Sequence, residues 1–362
     1  MRPSPERRLV ILTEGQFQVH DAKTALGVMR YGRDRVVCLL DSGMVGRRVA
    51  DLVGDDPRFD VPAVATLEEA LALGVDALLI GIAPTGGKLP PDWRGIILAA
   101  LGAGLDVLSG LHTFIADDPE FAAAAASSGA TIVDYRRPPE RMETSIGRLH
   151  GAGRHVILTV GTDCAIGKMS VALELRQAAL DAGLRGVFVP TGQTGMMIEG
   201  WGVAVDRLVA DFVQGTCEWL IEEAETLGDW ILVEGQGSLD HPAYSSVTLG
   251  LIHGTTPEAM VMVHKPGLDE HEFTHLPDRS FPIHPLPGFI RLHEQVAGLV
   301  APSRVVAVAL NTSLFPDEAA ARRVIAETAE LTGLPTDDPF RFGGARLFAA
   351  IRAALEPETV GR

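Results

Sequence analysis

The sequence predicts two α/β domains in tandem, each built on a parallel, doubly wound sheet. Three observations predict it. Residues 8–134 alternate short apolar runs with segments of helical composition. A second alternation of the same kind starts at His155. After its first apolar run comes Gly161-Thr162-Asp163-Cys164-Ala165-Ile166-Gly167-Lys168-Met169-Ser170. Strand, glycine-bounded loop, lysine, helix is the layout of a phosphate-binding loop. Strands that alternate with helices pair in parallel, because each helix is the crossover that returns the chain to the same edge.

The first domain is expected over residues 1–140. Its strand candidates are 9–13, 36–40, 77–82, 106–108 and 131–133, with helical segments at 22–30, 67–73, 93–103 and 119–127. Gly43-Met44-Val45-Gly46 and Gly81 with Gly86-Gly87 follow strand ends. Neither matches G-x-G-x-x-G in its proper place, so both read as tight turns. Pro138-Pro139 and the polar run through Gly153 mark a linker at 141–153. The second domain, 154–362, has strands expected at 155–160, 187–190, 230–234, 260–264 and 305–310. Helices are expected at 170–182, 208–225, 290–299, 319–332 and 345–355. Residues 265–288 carry five prolines and little periodicity, the mark of a long functional loop or lid.

Bulk properties exclude several function classes. The chain has 362 residues, 46% apolar and 22% charged, enough for two domains with real cores. No apolar run approaches the roughly 20 residues of a membrane span. Met1 to Arg8 lead into a short strand and Glu14 rather than a signal-peptide core. A net charge of −16 argues against nucleic acid or an anionic membrane as partner. Cys38, Cys164 and Cys217 are widely spaced and suggest neither disulfides nor a metal knuckle, which fits a reducing cytoplasm.

The loop dictates its own chemistry. Glycines let backbone N–H groups turn on an anion, the helix start adds its positive end, and Lys168 neutralises phosphate charge. The fit to G-x-x-x-x-G-K is loose, because Gly161 sits one residue early. The position after the lysine, usually Ser or Thr on Mg²⁺, holds Met169. A thioether does not hold a hard cation, and Ser170 lies about 100° further round the helix. The loop can therefore cradle a diphosphate without an obligatory Mg²⁺.

In open parallel sheets ligands sit beyond the carboxyl ends of the strands. The second strand end gives Thr191, Gln193 and Thr194 between glycines, either a second ligand loop or a turn. The third gives Glu234, where a Walker-B acid would lie, then Gly235, Gln236, Gly237, Ser238, Asp240 and His241. Glu234 is either a functional carboxylate or a helix cap. Lys265 follows the fourth strand, a cation suited to a substrate carboxylate or simply a solvated one. Asp211 opens the next helix and either caps it or lines the cleft. His271-Glu272-Phe273-Thr274-His275 spells H-E-x-x-H, the zinc-peptidase pair, which needs a helix to place both histidines on one face. Gly267, Pro277 and the lack of apolar helical spacing speak against that helix. No metal ligand is assigned, and the role of the histidine-rich segment 264–293 stays open.

The motifs carry a resemblance. Residues 161–169, Val189-Pro190-Thr191-Gly192-Gln193-Thr194-Gly195, Val233-Glu234-Gly235-Gln236-Gly237-Ser238 with His241-Pro242, and Asn311-Thr312 resemble a two-domain family long known only as a domain of unknown function. Its members include D-glutamate N-acetyltransferase. The Gly161-Thr162-Asp163 opening and the second domain are similar to dethiobiotin synthetase. The resemblance implies a Rossmann-like first domain, with Lys23 and Asp41-Ser42, and a P-loop NTPase-like second domain. It implies an N-acetyltransferase that moves an acetyl group from acetyl-CoA to the amine of D-glutamate or a related D-amino acid.

On that reading residues 161–170 hold the CoA diphosphate, and Glu234 or His241 is the base. Backbone N–H groups from Gly235 to Ser238 hold the oxyanion. Thr191, Gln193, Thr194, Arg207, Asp211 and Lys265 bind the substrate. The partner is then a small amino acid, and an acidic, apolar-rich chain of this type is expected to form a homo-oligomer. Two alternatives remain: a Mg-ATP ligase of the dethiobiotin type, and a non-enzymatic nucleotide- or CoA-binding protein.

Overall fold

The computed structural model describes residues 6–17, 22–54, 56–82, 87–271 and 279–356. It divides into two compact units. The first comprises Met1–Pro139 with Gly192–Arg207, and the second Glu140–Thr191 with Leu208–Arg362.

The first unit runs β1 (Arg8–Leu12), α1 (Lys23–Tyr31), β2 (Arg35–Leu40), α2 (Ala50–Val53), β3 (Ala63–Val64) and α3 (Leu67–Ala72). It continues with β4 (Ala77–Ile80), α4 (Arg94–Gly102), β5 (Asp106–Ser109), α5 (Pro119–Ser128) and β6 (Ile132–Asp134). The strands form one parallel sheet in the order β3-β2-β1-β4-β5-β6. Order reverses between β1 and β4, as in doubly wound folds. The inner strands are mostly apolar, β4 wholly so, as expected of strands covered on both faces. Leu12, Leu40, Ile80, Trp93, Ile97, Val107 and Phe121 make one continuous core. The five expected strands are present. β3 and α2 were not anticipated, and at two and four residues they are too short to show periodicity.

The second unit opens with β7 (His155–Gly161), α6 (Lys168–Asp181) and β8 (Gly186–Val189). The chain then crosses to the first unit as α7 (Gln193–Glu199). It returns with α8 (Val213–Leu227), β9 (Trp230–Val233), α9 (Ser245–Thr255), β10 (Ala259–His264) and α10 (Leu286–Ala297). It closes with β11 (Arg304–Leu310), α11 (Glu318–Thr332), β12 (Thr336–Asp337), α12 (Pro339–Phe342) and α13 (Ala345–Leu355). Its parallel sheet has the order β12-β11-β10-β7-β9-β8. β7 is thus central, and the loop after it leaves the middle of the sheet. β10 is apolar and wholly buried from Ala259 to Val263, as a strand covered on both faces must be.

Two boundaries differ from the sequence expectation. Residues 192–207 pack in the first unit, where Thr194 Oγ1 meets Thr24 Oγ1 at 3.0 Å and Gln193 abuts Gly110. The expected linker 141–153 is fastened to the second unit. Glu218 on α8 accepts from Ile146 N at 3.0 Å and from the amide of Arg148 and the hydroxyl of Ser145. Residues 265–271 and 279–285 form no helix or strand beyond a bridge between Glu270 and Pro282, and 272–278 lie outside the described residues. No helix among the described residues is long and apolar enough to cross a membrane.

Candidate functional site

The second unit gathers its polar side chains at the carboxyl ends of β7, β9 and β10. The loop after β7 turns at Ala165 (φ 53°) and Gly167 (φ 109°), both left-handed. A Cβ on Gly167 would strike the ring of Phe340, so the residue is required on two counts. α6 begins at Lys168, two residues before the sequence suggested, which puts the lysine in the first turn. Lys168 is 5% exposed, and its Nζ donates to the Asp163 carbonyl at 2.5 Å. Burial pushes its ammonium below the usual lysine range, against the opposing pull of Cys164, Asp163 and Glu234. Asn311 Nδ2 holds the Ile166 carbonyl at 3.0 Å, and Thr162 Oγ1 meets His264 Nδ1 at 2.9 Å. Burial pushes His264 down to about 4. Met169 and Ser170 follow on α6, both half-buried.

Glu234 immediately follows β9, at 5% exposure. Its Oε2 accepts the Thr191 amide at 2.9 Å, and its carbonyl accepts the Thr191 hydroxyl at 2.7 Å. The carboxylate thus ties the ends of β8 and β9 together. Gly235 N donates to Thr159 Oγ1 at 2.9 Å, and a Cβ there would collide with the Thr159 carbonyl. This corrects one expectation: the Gly235 amide is committed to the strand and does not point at an oxyanion. Further along the turn Gly237 is left-handed at φ 64°.

Beyond that turn lies a connected set. Ser238 Oγ donates to Asp240 Oδ1 at 2.5 Å, which makes Ser238 a holder of Asp240. His241 Nδ1 accepts the Ala243 amide at 3.1 Å, and its Nε2 lies 4.0 Å from Asp163 Oδ1. His271 stands between two carboxylates, with Nδ1 at 3.0 Å from Asp163 Oδ1 and Nε2 at 3.2 Å from Asp240 Oδ2. The exposed His284 reaches the same Asp240 oxygen at 3.1 Å. Asp163, His241 and His271 are buried, and their donor atoms all lie within 4.8 Å of one another, a set able to hold a metal ion.

The structure therefore brings Asp163, Lys168, Thr191, Glu234, Ser238 and His241 into one unit at adjacent strand ends. The other sequence candidates are elsewhere or less engaged. Gln193, Thr194 and Arg207 belong to the first unit, where Arg207 lies over the Phe114 ring. Asp211 is exposed in the short turn before α8. Lys265 is half-buried just past β10. Sequence reasoning missed His271 as a neighbour of the phosphate loop. The signal was the H-E-x-x-H run, but its geometry has no helix at His271, and His275 falls outside the described residues.

A parallel sheet with a lysine-bearing phosphate loop at its central strand, preceded in the chain by another doubly wound sheet, defines a two-domain protein of Rossmann-like and P-loop parts. The chain belongs to the DUF1611 family: the P-loop domain of unknown function matches residues 143–348, and the Rossmann-like domain matches 42–138. A D-glutamate N-acetyltransferase of Tritonibacter scottomollicae is 37% identical over 292 residues, covering 80% of this chain and 84% of its own. One from a Pseudoalteromonas species is 36% identical, covering 76% and 81%. The crystal structure of a DUF1611 family protein from Anabaena variabilis is 39% identical, covers 96% of this chain and 99% of its own, and superposes with a TM-score of 0.87.

Proposed function

We propose that the protein is an amino-acid N-acetyltransferase that moves the acetyl group of acetyl-CoA to the amine of D-glutamate or a related D-amino acid. The observation that carries this is the phosphate loop. It has Lys168 in the first turn of α6 and a thioether at the next position. Such a loop suits a diphosphate that arrives without Mg²⁺. The names of the two curated relatives supply the acceptor.

On binding, a diphosphate oxygen replaces the Asp163 carbonyl as the partner of Lys168. The acceptor arrives as an ammonium and loses one proton to Glu234. The freed amine forms a C–N bond to the thioester carbonyl carbon, and negative charge collects on the carbonyl oxygen. Collapse breaks the C–S bond. The thiolate of CoA takes the second proton from nitrogen, and Glu234 returns its proton to solvent. Glu234 takes the base role over His241 because His241 Nδ1 already accepts the Ala243 amide, which leaves the ring proton on Nε2. Lys265 offers a cation to the acceptor carboxylate. Gln193, Thr194, Arg207 and Asp211 are not needed for these steps.

The test is incubation with acetyl-CoA and D-glutamate, with no nucleotide or Mg²⁺ added, while free thiol and N-acetyl product are measured. Equal amounts of both are expected. ADP formation from ATP, with no acetyl product, would establish the ligase reading instead. Glu234→Gln should lower kcat by roughly 10²-fold or more while CoA still binds, the size of a lost general base. Full turnover in that variant removes Glu234 from the chemistry.

A further inference from the structure

We propose that Asp163, His241 and His271 form a site for one divalent transition-metal ion of the Zn²⁺ class. The proposal is independent of which acyl donor the protein uses. The three side chains come from three loops at one end of one sheet: Asp163 after β7, His241 after β9 and His271 after β10. None is more than 4% exposed. Asp163 Oδ1 lies 3.0 Å from His271 Nδ1 and 4.0 Å from His241 Nε2. Ligands at about 2.0–2.1 Å from a tetrahedral ion are themselves about 3.3 Å apart. The three atoms all lie within 4.8 Å of one another, so closing the set shortens no separation by more than about 1.5 Å.

The donor types choose the ion. Two imidazoles and one carboxylate suit Zn²⁺, Co²⁺ or Ni²⁺, whereas Mg²⁺ and Ca²⁺ want oxygen throughout. His271 also has the outer partner that metal-bound histidines usually show. Asp240 Oδ2 stands 3.2 Å from its Nε2 without hydrogen-bond alignment. A small turn of the ring would align the pair and keep the proton on Nε2, leaving Nδ1 to the ion. Asp240 is itself held by Ser238 at 2.5 Å and His284 at 3.1 Å.

Two proton shifts are required. Nδ1 of His271 faces the Asp163 carboxylate as a donor and must give up that proton when it binds the ion. Nε2 of His241 can bind an ion only if its ring proton moves to Nδ1, so the Ala243 contact is given up. Two hydrogen bonds, one of them to a carboxylate, are thus set against three coordinate bonds, which together are the stronger. Three protein ligands leave one tetrahedral position for water or a substrate oxygen. The ion would also fasten the chain after β10 to the phosphate loop, which explains a buried histidine in a segment without regular structure.

The test is a Co²⁺ titration of the chelator-stripped full chain, followed by visible absorption, with Zn²⁺ content measured after gel filtration. About one tightly bound equivalent with a tetrahedral Co²⁺ spectrum is expected. His271→Ala and Asp163→Asn should each weaken binding by about 100-fold or more, since removing a ligand costs at least as much as removing its outer partner. His241→Gln is the second variant if either fails to fold by circular dichroism. Less than stoichiometric binding by the unaltered chain, or undiminished affinity in the folded variants, overturns the proposal. Each readout is of binding, so a protein inactive with acetyl-CoA still answers it.

Discussion

Lys168 ends on the Asp163 carbonyl, so an incoming anion must displace a hydrogen bond before it gains a charge. Burial sets the behaviour of other ionisable side chains too. His293, on α10, is fully buried; its Nδ1 donates to the Phe289 carbonyl at 2.9 Å, and its ring stands edge-on to Phe289. Burial pushes it down to about 4. The folded value lies below the unfolded one near 6.5, so the unfolded chain binds more protons between those limits. The stability is therefore fully present above about pH 6.5 and declines as pH falls towards about 4, by at most about 3 kcal/mol. Urea unfolding between pH 7 and pH 5 should show that loss, and His293→Phe should remove much of it. An unchanged slope in the variant would count against a buried neutral imidazole. Glu234 was readable from sequence because a carboxylate at the end of an apolar run has few bland explanations. His271 was not, because its neighbours Asp163 and Asp240 are 108 and 31 residues away in the chain and are joined only by the fold.

The elements divide in the same way. α6 and β7 announce themselves by apolar runs and glycine punctuation. α9 does not: Ser245–Thr255 carries two glycines, Val247 and three threonines or serines in its first turn and a half, so propensity points away from helix. Packing rescues it. Gly254 faces α8, and a Cβ there would stand 2.5 Å from the Gln214 carbonyl and 2.7 Å from Cys217 Cβ. Gly254→Ala gains about 1 kcal/mol of helix propensity but forces the two helices apart, at about 1–3 kcal/mol. Strain against a backbone atom cannot be relieved by rotating a side chain, so net destabilisation is expected, read as a lower Tm. A raised Tm would show that α8 and α9 can separate freely. α7 was also missed. A helix of seven residues containing Gly195 reads as a loop until its contacts with the first unit are seen.

At the scale of the molecule, the net charge of −16 opposes any polyanionic ligand before contact. Local N–H groups and Lys168 act only within a few ångströms, whereas the overall field extends about a Debye length, about 8–10 Å near physiological salt. If the protein takes CoA as proposed, the association rate of CoA should therefore rise as NaCl screens the protein, the reverse of a steered encounter. Stopped-flow binding at low and moderate salt measures this, and a rate that falls with salt would locate a cationic surface large enough to outweigh the net charge. Both sheets were legible in advance, because alternating apolar runs and helices admit few other topologies. The excursion of residues 192–207 was not, because nothing local distinguishes a helix that packs on its own domain from one that packs on the other.

The sequence alone determined the two parallel α/β layers, the phosphate loop at the head of the second, and the thioether where a Mg²⁺ ligand usually stands. These follow from periodicity and from residue chemistry within a dozen positions. Only the tertiary structure decided that the Gly235 amide is spent on Thr159, that Ser238 serves Asp240, and that Asp163, His241 and His271 meet. The first and last of these join strand ends separated by tens of residues, which a parallel sheet brings together whatever the sequence between them says; the second is local but depends on the conformation of the turn.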